Sequence, residues 1–307
     1  MTSAKTSART PASTDAVARL GFGLDWQYRD NYPQSMAELR TKYDGRLSHL
    51  SCVSLPSAAD ARVFMDECAR GLPVVHHLPG VAPAAPGGPN LELYQRLEPV
   101  SDILDAVWTC EDIGLWSIGP YPLPYFTPPL FERDIADHVV EGIRTLHALG
   151  SRPFVPEIPS CTLAIGRLSL GEFFHRVTDG ADCDLLLDVA HVFSYAVAVG
   201  RPYEQVLRSL PLDRVVEIHV AGGYIDPTFD NRYLDTHSHA VAPAVIDLLQ
   251  EAVTASSRLR AVTYEIGVGL DAGNLDDDFG RVEAVLAEAD WTPSVARPAG
   301  LATAGGA

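Results

Sequence analysis

The sequence predicts an α/β fold, a single (β/α)8 barrel of the TIM type with short disordered tails, and three observations carry that expectation. Eight short apolar runs of β character alternate with segments of helical period. The span between the tails, 18–291, has the length of such a barrel. No G-x-G-x-x-G follows the first run and no Walker loop is present, so a doubly wound open sheet is the weaker alternative.

The strands are expected at LGFGLDW (20–26), LSHLSCVSL (47–55), LPVVHHL (72–78), AVWTCEDIGLW (106–116), RPFVPEI (152–158), CDLLLDVAHV (183–192), VVEIHVAG (215–222) and AVTYEIG (261–267). A helix is expected after each: SMAELRTKY, SAADARVFMDECARG, the segment around LELYQRLEPVSDILD, PPLFERDIADHVVEGIRTLHALG, LSLGEFFHRVTDG, YEQVLRSL, VAPAVIDLLQEAVTAS and LDDDFGRVEAVLAEA. The fourth is the clearest. Ile135, Val139, Ile143 and Leu146 form one apolar stripe, with Pro128 and Pro129 to open the helix and Gly150 to close it. Residues 1–17 and 292–307 are rich in small residues without an apolar period, which predicts loose tails.

Composition narrows the function. Hydrophobic residues make up 47% of the 307-residue chain, enough to build a core. No stretch reaches the ~20 apolar residues of a membrane helix, and the N-terminus lacks the apolar centre of a signal peptide. A soluble, cytoplasmic protein with no membrane partner is expected. The formal net charge of −17 repels phosphate backbones, so nucleic acid is not an expected partner. Cys52, Cys68, Cys110, Cys161 and Cys183 are odd in number and include no C-x-x-C pair, the usage of a reduced compartment.

In a barrel of this type the active site lies at the carboxyl ends of the strands, and there the polar residues gather. The third run ends in His76-His77, the fourth carries Glu111-Asp112 and the fifth ends in Glu157. The sixth has Asp188 and His191, the seventh His219, the loop beyond it Asp235 and His237, and the eighth Glu265. Adjacent His76 and His77 point to opposite faces, so only one can face the axis. Asp188 and His191, read as the last turn of a buried strand, need partners, because an unpaired charge there costs several kcal/mol. Taken singly, Glu111 or Asp112 reads as a helix cap or half of an ion pair. His138, His147 and His175 fall on helices and read as surface residues. Together, so many carboxylates and imidazoles at one end call for cations, and about nine ligands exceed the three that one catalytic ion uses. Two or three ions fit. Metal-assisted hydrolysis, aldose–ketose isomerisation and dioxygen activation all remain open on spacing alone.

The segments LPVVHHLPGV, WTCEDIGLWSIG, FVPEIPS, LLLDVAHVFSYA, VVEIHVAGGYID, LDTHSHAV and TYEIGVGL, in this order, resemble the multinuclear non-haem iron-dependent oxidative enzymes, the group of methanobactin-maturing and thiaglutamate-pathway oxidases. The resemblance implies a barrel holding two or three iron ions, mixed ferrous and ferric, with dioxygen as co-substrate. It implies oxidation of a residue, often cysteine, in a ribosomally made precursor peptide, delivered by a separate or fused peptide-recognition partner protein. It places metal ligands at His77, Glu157, Asp188, His219, Asp235, His237 and Glu265. Two positions depart from the pattern. Asp112 stands where the family usually has histidine, and His191 where it usually has asparagine, so one imidazole is lost and another gained. Ile158 replaces a polar asparagine beside Glu157. The precursor is expected to meet a partner protein or the barrel loops Pro79–Pro89 and Gly119–Pro129. The alternatives are a divalent-metal sugar isomerase or hydrolase on a related barrel, and a non-catalytic binding member of the family.

Overall fold

The computed structural model describes residues 13–27, 35–53, 57–119 and 121–294. Each expected run contains a strand: β1 (Gly21–Gln27), β2 (His49–Val53), β3 (Val74–His77), β4 (Thr109–Asp112), β5 (Phe154–Glu157), β6 (Leu185–Asp188), β7 (Val215–Val220) and β8 (Ala261–Glu265). Consecutive strands pair in parallel, and β8 pairs with β1 to close the barrel. Such strands are buried on both faces, which is why they read as nearly continuous apolar runs.

Around the barrel run α1 (Met36–Lys42), α2 (Ala58–Glu67), α3 (Leu91–Leu104), α4 (Arg133–Leu149), α5 (Leu170–Ala181), α6 (Val189–Val199), α7 (Tyr203–Arg208), α8 (Pro243–Ala255) and α9 (Ala272–Glu288). Ser35 with Glu38 and Ser169 with Glu172 form capping boxes that start α1 and α5. No helix among the described residues is long and apolar enough to cross a membrane.

Three expectations are corrected. The sixth run is not a strand to 192: β6 stops at Asp188, whose side chain accepts a hydrogen bond from the His191 N–H at 2.9 Å and caps α6. A fully apolar segment shows the same pattern in a buried strand and a buried helix, so the run concealed that junction. Pro128 and Pro129 do not open α4. Extended chain continues through Phe131, which bridges Gly166, and the helix begins after Glu132. The N-terminal tail also ends earlier than 17. Thr14–Ala16 form a 3-10 turn, buried Thr14 hydrogen-bonds Asp184, and Asp15 pairs with Arg258 at 2.7 Å. At the other end, the Ser294 N–H donates to Arg19 O at 2.9 Å. Residues 1–12 and 295–307 of the expected tails, and Pro120 of the expected peptide-binding loop, lie outside the described residues.

Below the mouth, part of the barrel interior is filled by an apolar plug of Leu20, Val75, Trp108, Cys110, Val155, Leu186, Val216 and Ala261, separate from the larger core between strands and helices. One pleat higher, at the carboxyl ends, the inward residues of the same strands become His77, Asp112, Glu157 and Asp188. β7 departs from strict alternation. Val215 and Val216 together oppose Leu185, a bulge that turns both Val216 and Glu217 inward and puts His219 at the mouth.

Candidate metal centre

The nine residues singled out in the sequence converge at this mouth. His77 Nε2 lies 3.4 Å from Glu157 and 3.8 Å from Asp112. His219 Nδ1 lies 3.1 Å from Glu265 and 3.6 Å from Glu157. His191 Nε2 is 2.8 Å from Asp235, and His237 Nε2 is 3.0 Å from the same carboxylate oxygen. Four overlapping triples have donor atoms within 4.8 Å of one another: His77–Asp112–Glu157, Glu157–Asp188–His191, Asp188–His219–Glu265 and His191–Asp235–His237.

Each side chain is held from its own element. His77 faces the axis, while His76 turns outward and hydrogen-bonds Ser101 on α3 at 2.8 Å. His191 sits in the first turn of α6, fixed by the Asp188 cap, and its Nδ1 hydrogen-bonds the Ile158 carbonyl at 2.6 Å. The backbone after β5 therefore supplies the polar contact that the Ile158 side chain lacks. Asp235 and His237 come from the loop after a hairpin of Tyr224–Asp226 and Arg232–Leu234. His237 takes a left-handed φ of 54° and its carbonyl accepts from the Gly267 N–H at 2.7 Å. A Cβ on Gly267 would meet Thr236 O at 2.5 Å, so this approach requires glycine.

The donor set fits metal ions. Buried atoms without a hydrogen-bond partner include His77 Nδ1, Asp112 Oδ1, Glu157 Oε2, Asp188 Oδ2, His219 Nδ1 and Asp235 Oδ1. Native proteins leave few such atoms, and six at one point indicate a ligand. The electrostatics agree. Burial, with the neighbouring carboxylates, pushes Asp112 up to about 7 and Asp188 up to about 6. Burial and Asp112 raise Glu157 well above the carboxylate range. Burial alone would lower His191 and His219, but the carboxylates around them hold both well above an ordinary imidazole. Burial opposes ionisation of Asp235 and Glu265 as well, and adjacent imidazoles outweigh it and lower both. Carboxylates that repel one another and borrow protons from histidines are what cations at the centre would relieve.

Glu111, weighed in the sequence as a cap, faces outward, and its carboxylate accepts the Gly80 and Ala82 N–H groups of the loop after β3. His138 and His147 hydrogen-bond the carbonyls of Ala85 and Phe154, and His175 is exposed. All five cysteines are buried, and burial raises the Cys110 thiol far above its usual value.

Sequence reasoning missed several residues around the centre. Asp25 on β1 lies beside Glu265, buried, and burial followed by Glu265 pushes it up to about 7. Trp116 and Tyr125 belong to a hairpin of Leu115–Ile118 and Tyr121–Thr127 and wall a cavity of about 70 Å³ above the cluster. The Tyr125 ring is half-exposed, yet its hydroxyl reaches in toward Ser160, and burial, Asp112 and Asp235 raise it well above an ordinary phenol. Glu217 lies beneath His219. Its signal was present, since two-residue spacing places it on the same strand face as His219.

A parallel (β/α)8 barrel with clustered histidines and carboxylates at its carboxyl-terminal mouth defines the class: barrel proteins with a candidate metal site. Solved structures share the fold. The endonuclease IV of Thermus thermophilus aligns with a TM-score of 0.51 at 18% identity over 86% of this chain and 99% of its own. The IOLI protein, solved with a binding zinc atom, aligns with a TM-score of 0.54 at 11% identity over 87% of this chain and 97% of its own. A xylose isomerase-like TIM barrel protein from Mycobacterium smegmatis, in complex with magnesium, aligns at 0.52 and 14% identity over 90% and 99%.

Within that class, residues 53–283 match the model of the RiPP precursor modification enzyme MbnB/TglH/ChrH family, and the chain belongs to that family. Its relatives include UPF0276 proteins of Paraburkholderia phytofirmans, 32% identical over 53% of this chain, and Caulobacter vibrioides, 29% identical over 76%. The match spans 52% of the Paraburkholderia protein and 80% of the Caulobacter protein.

Proposed function

We propose that this protein is an oxidative enzyme that uses two or three iron ions and dioxygen to modify a residue, cysteine in the first instance, of a ribosomally made precursor peptide. The observation that carries the reading is the set of four overlapping histidine–carboxylate triples in a chain of this family. His77, Asp112 and Glu157 would hold one ion, Asp188, His219 and Glu265 a second, and His191, Asp235 and His237 a third. When bound, iron supplies open coordination positions, affinity for a soft thiolate and redox chemistry.

The chain's own residues supply the setting. The Ile158 carbonyl fixes the His191 ring so that its Nε2 faces Asp235. Trp116 and Tyr125 cover the cluster and limit water, leaving a narrow entry for one substrate side chain. The Tyr125 hydroxyl, kept protonated at neutral pH, can donate a hydrogen bond to a group entering there. Beside this entry lies a groove of about 630 Å³ between the loop after β3 and the hairpin, and Trp116 lines both. Its wall of glycine, apolar side chains and the uncharged polar Asn90 and Ser117 suits an extended, uncharged peptide segment, in keeping with the two loops expected to meet the precursor.

We assign peptide delivery to a separate recognition partner. Exposed Ile118, Tyr121, Ile225, Phe229 and Val268 on the mouth loops support it. Full turnover of the precursor by the isolated chain, with no partner retained in a pull-down, would remove the partner from the reading.

Metal analysis and Mössbauer spectroscopy of protein purified without oxygen, after growth in iron-rich medium, test the centre. Two or more magnetically coupled irons per chain are expected. One zinc, manganese or magnesium per chain and no iron would overturn the oxidase reading in favour of an isomerase or hydrolase.

A further inference from the structure

Below the mouth, the barrel interior holds a second polar group that none of the ligand triples uses. Glu217 on β7 is fully buried, and its two oxygens take three hydrogen bonds. Trp108 Nε1–H donates to Oε2 at 2.7 Å, the Thr263 hydroxyl donates to Oε1 at 2.6 Å, and His219 Nε2 lies 3.2 Å from Oε1. Thr263 in turn accepts from His49 Nε2 at 2.9 Å. Room for the His49 ring comes from Gly23, where a Cβ would lie 2.3 Å from the imidazole. The lining of the Glu217 carboxylate consists of donors, which is the surrounding an ionised carboxylate needs and a neutral amide does not fit.

The orientation of His219 follows. Its Nε2 points down to Glu217, while Nδ1 points up between Glu157 and Glu265 and makes no hydrogen bond. We propose that Glu217 is a positioning residue that fixes His219 with its proton on Nε2, so that the Nδ1 lone pair is aimed into the cluster as a metal ligand. The inference rests on the metal-binding part of the proposed function and not on its oxidative chemistry. A carboxylate behind a ligating imidazole sets the tautomer, holds the ring plane and raises the basicity of the ligating nitrogen. The bulge in β7 makes this possible, because it places Glu217 and His219 on the inner face together with Val216.

The test uses the full-length protein with metal alone. In the wild-type chain loaded with Zn(II), nitrogen-15 NMR of the His219 ring should show hydrogen on Nε2 and metal on Nδ1. The reverse tautomer would overturn the proposal and needs no variant. Titration of Glu217→Gln with Zn(II) and Fe(II) should show about tenfold to a hundredfold weaker binding of one ion, with the others unaffected. A folded Glu217→Gln chain with wild-type affinity and an unchanged His219 tautomer would also overturn it. In Glu217→Gln the amide NH2 meets a donor whichever way it is turned, so the Trp108→Phe/Glu217→Gln double variant, which removes the Trp108 donor, is measured in parallel. If neither variant folds, the wild-type tautomer decides. Thr263→Val removes a hydrogen bond to Glu217 and none to His219, and should leave the tautomer in place. A wild-type chain that binds no metal would sink the metal-centre reading itself, a result distinct from a metal-binding chain indifferent to Glu217.

Discussion

The two halves of the barrel treat the layer below the mouth differently. On β3 to β6 the inward residue two positions before each site residue is apolar or a buried thiol: Val75 before His77, Cys110 before Asp112, Val155 before Glu157, Leu186 before Asp188. On the contiguous half, β7, β8, β1 and β2, the same layer holds Glu217, Thr263 and His49, joined by hydrogen bonds, and Gly23, which leaves room for the His49 ring. One half seats its candidate ligands on a dry plug and the other on a polar network. Side chains on the plug can be oriented only by packing and by their neighbours at the mouth. His219, on the other half, also has a hydrogen-bonded partner beneath it.

The largest expected effect would come from putting a charge into the plug. Val155→Asp should cost several kcal/mol, because the carboxylate would have no partner there, and denaturant unfolding should show most of the stability lost. A mild effect would mean that the plug admits water and that the halves differ less than the contacts indicate. Glu157→Gln, one pleat higher, should do something else: it should weaken metal binding by at least ~100-fold, since Glu157 belongs to two triples, while the chelator-treated protein keeps or gains stability, because a neutral amide replaces an acid that burial and Asp112 force to take up a proton on folding. Calorimetry of metal binding and of unfolding on one sample separates the two quantities.

A smaller effect is expected from pH. In chelator-treated protein, His191, His219 and His237 keep protons that the unfolded chain, with imidazoles near ~6.5, releases. Burial alone would lower His237, but Asp235 and Glu265 bring it up to about 10. Between pH 6.5 and 10 the folded state therefore binds more protons than the unfolded, and stability falls as pH rises. Asp25 and Asp112, pushed up to about 7, act in the same direction at the lower end. The lowered imidazoles of His49, His76 and His77 contribute only below that window. Melting temperatures should drop across it by ~2–4 °C per kcal/mol lost. Metal-loaded protein should lack the drop near neutrality, because its ligands have already shed those protons. The smallest effect belongs to the outer surface, where Arg176→Ala breaks an exposed pair with Asp137 at 2.6 Å and should change stability by less than ~1 kcal/mol.

Much of this was legible in the sequence, for identifiable reasons. Buried parallel strands leave long apolar runs, and an acid or imidazole closing such a run is conspicuous, which is why Glu157, His219 and Glu265 stand out as candidates. The β6–α6 junction was hidden because apolar residues continue through it, so His191 was assigned to a strand although it stands on a helix. Asp25 was hidden in a short run where one acid looks like a cap. Trp116 and Tyr125 were hidden because no pattern in the segment after β4 announced a hairpin folded over the mouth. Glu217 was visible by its spacing, but its meaning depends on Trp108 and Thr263, which lie far from it in sequence.

The extra residue in β7 also bears on how this interior could be reshaped. Removing Val216 would restore strict alternation with β6 while leaving Glu217 opposite Leu186 and His219 opposite Asp188. Such a deletion would therefore take one apolar side chain out of the plug, while the rest of β7 and the seven other strands kept their inward residues. That makes the bulge a place where this barrel can be edited by length, without substituting a single residue of the mouth.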